Sequence, residues 1–233
     1  MLMILFGVLS QEMAIHHIDF NTLGLLMGMM IIVNITSETG LFNFLAVWAA
    51  KKVKARPIAL LLALSALTAV CSGLLDNVTT VLLTVPVTFS ITKQLRVDVK
   101  PYLISQILCS NIGGTATLIG DPPNIMIGSA VGLNFMDFIF NLTGICIIIF
   151  LVVELFIIWL YGKGLRTKPE LQAEVMRMDA SKEITDHKLL KKCLFVIFCT
   201  IALFILHSSL HLETATAALS GAGLLLLLTA RRD

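Results

Sequence analysis

Two polar strings interrupt long apolar stretches of this sequence and hold most of the residues that could do chemistry. The first is Asp76-Asn77-Val78-Thr79-Thr80; the second is Ser110-Asn111-Ile112-Gly113-Gly114-Thr115, followed by Gly120-Asp121-Pro122-Pro123-Asn124. A carboxylate near the centre of a membrane-spanning helix costs about 2.5–3.5 kcal/mol even on the insertion scale, so Asp76 and Asp121 need a reason to be there. Both stand beside amides and hydroxyls: Asn77, Thr79 and Thr80 around one, Asn111, Thr115, Thr117 and Asn124 around the other. Amide oxygens, with carbonyls near Ser110, Gly113 and Gly114, can coordinate a cation or a small solute, and Asn77 and Asn111 are the candidate ligands for Na⁺. Asp76 or Asp121 can exchange a proton. The competing reading is that these residues only cap and pin broken helices, and Asp121, just before two prolines, suits a cap or turn former.

Composition sets the elements that must position these strings. The 233 residues are 57% hydrophobic and only 14% charged, with a mean hydropathy of +0.92, far from a soluble domain. The expected solvent is a lipid bilayer. The 17 basic and 15 acidic residues nearly balance, and the bases form short clusters rather than one basic face, so nucleic acid is not an expected partner. Cys71, Cys109, Cys146, Cys193 and Cys199 are scattered without a C-x-x-C pair, against both a disulfide framework and a zinc site. They read as small buried hydrophobes. No cofactor is expected beyond a coupling ion, H⁺ or Na⁺. Met1–Ser10 is apolar but lacks a signal peptide's basic start and is too short to span, so it reads as the stump of a helix.

Only helices satisfy their own backbone hydrogen bonds in lipid, so the apolar runs Phe20–Ile35, Pro57–Thr92, Pro101–Val131, Phe138–Tyr161, Leu189–His207 and Thr214–Ala230 predict helices. The bases fall at Lys51/Lys52/Lys54/Arg56, at Lys93/Arg96/Lys100, between Lys163 and Lys192, and at Arg231/Arg232, while 10–19, 132–137 and 208–213 carry none. Lys and Arg mark the cytoplasmic side, so the clusters are assigned inside and the bare loops outside. Leu41–Ala50 either lies along the inner interface or extends the first helix past a break at Asn34–Gly40.

This parity makes Pro57–Thr92 a helical hairpin with DNVTT at its tip. Thr80–Thr92 rises only about 20 Å, short of a full crossing, which favours a re-entrant hairpin with its tip at depth; Pro86 would kink that arm. Pro101–Val131 must cross once, yet as one helix it would rise about 46 Å. Breaks are expected at Gly113-Gly114 and at Gly120-Asp121-Pro122-Pro123. Irregular backbone at membrane depth needs protein or a watery cavity around it, so the broken helix should face the hairpin tip.

Other polar residues read as less central. Glu154 is expected to snorkel or pair with Lys163, Glu38 to sit at an interface, and His16, His17, His207 and His211 to be solvated near outer loops. Residues 163–188 mix both charge signs and read as a solvated cytoplasmic linker between a first unit, 1–162, and a second beginning at 189 and running to 233.

The strings S-G-L-L-D-N-V-T-T-V-L-L-T-V-P-V and S-N-I-G-G-T-A-T-L-I-G-D-P-P-N resemble the ion transporter superfamily. They are most similar to the branch holding arsenite permeases, D-type sodium/proton antiporters, citrate transporters and the melanosomal P protein. The resemblance implies an all-α polytopic membrane protein with inverted repeats, each half supplying a re-entrant hairpin and a broken helix. It implies secondary transport of an inorganic ion or small anion such as arsenite, Na⁺/H⁺ or a citrate-like carboxylate, in the cell membrane. Sodium/dicarboxylate relatives carry Ser-Asn-Thr at the hairpin tip; here Asn77 and a hydroxyl from Thr79 or Thr80 carry over, while Asp76 replaces the serine. The chain shows one such half and the start of another, so the expected partners are a second half of the transporter or a second copy in a homodimer. Two rivals stand beside transport: a non-transporting membrane scaffold, and an intramembrane aspartyl protease in which two aspartates share a proton. The second fits poorly, because both aspartates lie in Gly-, Pro- and Asn-rich breaks.

Overall fold

In a computed structural model of the chain, the described residues are 4, 6–8, 10–210 and 212–230, with side chains at 207–210 left aside. The expectations for most of Met1–Ser10, for the His207 side chain, for His211 and for Arg231/Arg232 lie outside these residues. Among the described residues every regular element is a helix: α1 (Gln11–His16), α2 (Phe20–Ser37), α3 (Leu41–Lys52), α4 (Pro57–Leu74), α5 (Asn77–Leu95), α6 (Lys100–Thr115), α7 (Pro122–Val131), α8 (Phe135–Tyr161), α9 (Pro169–Arg177), α10 (His187–Leu210) and α11 (Thr214–Thr229). Five of the helices are long and apolar enough to span. The outward face of α8 carries Phe140, Ile148, Leu155 and Trp159 exposed, a surface suited to lipid rather than water. The protein is an all-α, multi-pass membrane protein.

The helices share two cores. One joins α3, α4, α5 and α6 with Ile157 of α8 and Val175 of α9, and is packed from Ala46, Leu60, Leu64, Ile91, Leu95 and Tyr102. The other joins α2, α10 and α11 with Phe135 and Phe138 at the start of α8 and Ile125 of α7. Leu118 and Ile119, from the irregular segment between α6 and α7, also enter this second core. Residues 189–230 therefore dock on α2, and the break between α6 and α7 links the two cores.

The basic loops gather at one end. Lys51 Nζ donates to the Met178 carbonyl at 2.8 Å, Thr167 Oγ1 to Leu95 at 2.6 Å, Tyr102 OH to Pro57 at 2.9 Å, and Lys192 Nζ to Leu228 at 2.8 Å. At the other end Asn21 Oδ1 accepts from Ala215 N at 3.0 Å, and Asn21, Ser129, Asn134 and Glu213 line one small pocket. Residues 163–188 are less solvated than expected. Leu165 and Val175 are buried, and Thr185 bonds the Thr39 carbonyl through its N–H and the Glu38 carbonyl through its hydroxyl.

Three boundaries differ from the sequence reading. Leu41–Lys52 is a separate helix folded onto α4 and α5, because the chain turns at Gly40 with φ +77°. The hairpin arms α4 and α5 run 18 and 19 residues, about 27 and 28 Å. Thr80–Thr92 understated the second arm, since Asp76 caps the helix early and Lys93–Leu95 prolong it. Finally, the helix does not break at Gly113-Gly114; α6 continues to Thr115, and the irregular segment is 116–121.

Two stability predictions follow from the ends of α2. A Cβ on Gly40 would meet the Glu183 carbonyl oxygen at 1.8 Å in a positive-φ backbone, so Gly40→Ala should cost at least about 1–3 kcal/mol; an unchanged thermal midpoint in detergent would contradict this. At the other end, Thr22 Oγ1 donates to the Asp19 carboxylate at 2.5 Å and, with N–H groups of Asn21 and Thr22, holds its pKa below the ordinary 3.8. A depressed folded pKa contributes stability above the unfolded value and loses it as pH falls. Wild type should therefore lose more of its thermal midpoint than Asp19→Asn between about pH 5 and about pH 3, and equal slopes would show Asp19 uninvolved.

Candidate functional site

The hairpin tip is two residues long. Leu75 leaves the helix at φ −115°, ψ −104°, Asp76 is extended, and its Oδ1 accepts the Thr79 N–H at 2.8 Å. Asp76 is thus the N-cap of α5, satisfying one of the N–H groups that a helix start leaves open. Asn77 reaches across to the broken helix, its Nδ2 donating to Asn111 Oδ1 at 3.1 Å, while Asn111 Nδ2 returns to the Ile107 carbonyl at 2.8 Å. The two predicted strings meet as expected, side chain to side chain, at an exposed position.

The glycines act by closeness. A Cβ on Gly113 would stand 2.0 Å from the Ala69 carbonyl oxygen, so α4 and α6 cross at a distance that only glycine permits. This crossing brings Ser72 Oγ to the Ser110 carbonyl at 2.6 Å and the Thr117 hydroxyl to the Gly73 carbonyl. Ser110 is buried and turns its own hydroxyl back to Ile107. Ser110, Gly113 and Gly114 therefore contribute packing and backbone, not side-chain ligands.

Asn124 has a definite task. Its Nδ2 donates to the carbonyls of Gly114, Thr115 and Thr117 at 3.3, 3.1 and 2.9 Å, binding α7 to the carbonyls that α6 leaves open. Asp121 takes the extended N-cap position of α7 but makes no side-chain capping bond, unlike the cap the sequence allowed. It lies within electrostatic reach of Asp76. The exposed Thr115 hydroxyl bonds the Asn111 carbonyl at 2.8 Å. Asp76, Asn77, Asn111, Thr115 and Asp121 thus line one open patch without a Lys or Arg among them, and Thr79 contributes its N–H to the Asp76 carboxylate.

Beneath this patch runs a buried polar seam. Thr80, Thr84, Thr88 and Thr92 are all buried along one face of α5, and the last three each bond the carbonyl four residues back. Thr88 also donates to Gln106 Oε1 at 3.0 Å, and Gln106 Nε2 donates to Thr68 at 3.2 Å. Thr80 Oγ1 is buried without a partner. The T-x-x-x-T-x-x-x-T-x-x-x-T spacing is the sequence signal of this stripe, four threonines on one helix face.

Glu154 corrects an expectation. It neither snorkels nor pairs with Lys163: it is 1% exposed and accepts hydrogen bonds from the Ser105 hydroxyl and, at 3.1 Å, from Cys109 Sγ. The helix presents it to α6 rather than to the interface, so Cys109 is more than an apolar filler.

The family model of citrate transporters matches residues 1–233. The chain belongs to the citrate transporter family. It is 41% identical over 208 residues to an uncharacterized transporter of Mycobacterium tuberculosis, covering 89% of this chain and 48% of that protein. A 46 kDa membrane protein of Mycobacterium leprae is 40% identical over 212 residues, 91% of this chain and 49% of that protein. The P protein of Homo sapiens is 41% identical over 165 residues, 68% of this chain and 20% of that protein. This citrate transporter family chain spans about half the length of the mycobacterial relatives it matches.

The two asparagines predict losses of different size. Asn124→Ala removes the donor shared by three carbonyls at the break and should cost about 1–3 kcal/mol, whereas Asn111→Ala loses two exposed bonds, to Asn77 and Ile107, and should change stability by less than about 1 kcal/mol. Denaturant titration in micelles would show it, and equal losses would mean that Asn124 does not hold the break.

Proposed function

We propose that this chain supplies one side of the site of a secondary active transporter, at the patch lined by Asp76, Asn77, Asn111 and Asp121. The observation that carries the reading is the Asn77–Asn111 contact, which joins a helical hairpin tip to a broken helix. Membrane transporters build sites from discontinuous helices because the interrupted backbone and helix ends can face a solute there. Membership of the citrate transporter family and similarity to proteins named as transporters point the same way.

The charge of the patch favours a cation as its direct ligand. Two carboxylates stand there with amide and hydroxyl oxygens, and both helix N-termini, whose dipoles would attract an anion, already carry an aspartate. A citrate-like anion would need bound cations to offset this charge; arsenite in its uncharged acid form or Na⁺/H⁺ exchange would not. The coupling ion is H⁺ or Na⁺, with Asp76 as the first candidate carrier at the tip. The opposing side of the site would come from a second half of the transporter or from a second copy of the chain. The membrane is the cell membrane, with the basic loops cytoplasmic under the positive-inside rule.

The test is transport by the full-length protein, with both sides of the site present, in proteoliposomes loaded with a pH-sensitive dye under imposed Na⁺, arsenite or citrate gradients. Wild type should move protons with one of these gradients, and Asp76→Asn should cut that flux at least about tenfold, about 1.4 kcal/mol in the transport barrier. Flux unchanged in the variant would leave Asp76 as a helix cap only. No flux with any gradient would sink the transporter reading in favour of a membrane scaffold.

A further inference from the structure

Glu154 is unused by the site above, yet it is a carboxyl buried between α8 and α6. It sits on α8 about 10 Å of helix rise before Tyr161, inside a segment long and apolar enough to span. Its Oε1 accepts from Ser105 and Cys109 of α6, and its Oε2 is buried with no hydrogen-bond partner among the described residues. Neither oxygen meets a basic side chain. A buried carboxylate lacking a counter-charge, with one oxygen unsatisfied, is the expensive way to keep a charge inside a membrane. Binding a proton removes that charge.

The surroundings accommodate both forms. Ser105 Oγ and Ser65 Oγ lie 2.6 Å apart, and either can be the donor. With Glu154 ionised, the chain runs Ser65 to Ser105 to carboxylate; with a proton on the carboxyl, it can run from Glu154 to Ser105 to Ser65. A hydroxyl pair that reverses in this way keeps its hydrogen bonds in either state. The group facing Glu154 from α6 that can itself titrate is the Cys109 thiol, and α4 presents the neutral Ser65. Lys100 and Tyr102 of α6, Cys71 of α4, and His187, Lys188, Lys191, Lys192, Cys193 and Cys199 of α10 are not bonded to it. Cys109 immediately precedes Ser110 and Asn111, so a change in what Glu154 donates or accepts acts on the helix that carries the candidate site.

We propose that Glu154 is an exchangeable proton-binding site within the membrane, with Ser105 and Ser65 as its hydroxyl relay, and that it is a coupling carboxyl of the transporter in addition to Asp76 at the tip. Only this coupling half rests on the function proposed above. The ligand is H⁺, and the step is carboxylate plus proton giving carboxylic acid.

Infrared difference spectra of the membrane-reconstituted protein between acid and alkaline pH decide the proton site without any transport. Wild type should show a protonated-carboxyl C=O band that shifts in heavy water and is missing from Glu154→Gln. Gln keeps an acceptor for Ser105 and Cys109, so the variant should hold the wild-type thermal midpoint. Should it fail to fold, Ser105→Ala in the presence of Glu154 must move the same band by removing its hydrogen-bond partner. Identical carboxyl bands in wild type and Glu154→Gln, a Glu154 band that neither titrates nor exchanges, or a band indifferent to Ser105→Ala would each overturn the proposal. In the proteoliposome assay, Glu154→Gln should abolish proton flux; wild-type flux in that variant would refute the coupling. If wild type itself shows no flux, the transporter reading falls with the coupling, while the infrared result still decides the proton site.

Discussion

A helix end or break leaves backbone carbonyls and N–H groups without helical partners, and this constraint organises the protein around its two interruptions. At the hairpin tip the cost is met by Asp76, whose carboxylate takes the Thr79 N–H. At the broken helix it is met by Asn124, which reaches three carbonyls, and by the Thr117 hydroxyl, which accepts the Gly120 N–H and donates to Gly73. The polar residues of the candidate site and those that permit the backbone to be irregular are largely the same set. Any solute drawn to Asp76 or Asn77 would therefore compete with the bonds that hold the tip.

The close crossing of α4 and α6 at Gly113 is the mechanical counterpart. With little hydrophobic drive between helices in lipid, association depends on close van der Waals approach and hydrogen bonds between helices. The crossing supplies both. It lets Ser72 reach the Ser110 carbonyl, places Ser65 beside Ser105, and leaves room for Gln106 to join Thr68 and Thr88. The outcome is a core with an apolar outside and a polar seam, the reverse of a water-soluble bundle. The break residues Leu118 and Ile119 enter the other core with α2, α10 and α11, so a movement at the site has a packed route to the rest of the chain.

Much of this was legible in the sequence. Apolar length marked the helices, basic clustering marked their common end, and Gly, Pro and Asp within apolar runs marked the tip and the break, because each of those signals reflects a cost counted along one chain segment. Boundaries were less legible. Gly113-Gly114 resembles a helix breaker until Ala69 is seen against it, and Thr80–Thr92 looked like a short arm until Asp76 was seen capping a helix that runs to Leu95.

What the sequence determined by itself was the solvent, the helical class and the pairing of the DNVTT string with the SNIGG string, since burial in lipid leaves few alternatives for such residues. What only the tertiary structure decided was which polar side chains are ligand candidates and which are struts. Ser110 turns inward to its own helix, Asn124 is spent on carbonyls, and Glu154, which in sequence is one acid near the end of an apolar run, faces Ser105 and Cys109 from a helix 45 or more positions away. Contacts of that range depend on how α8 is rotated against α6, and rotation is set by the packing of both helices together, which no single segment encodes.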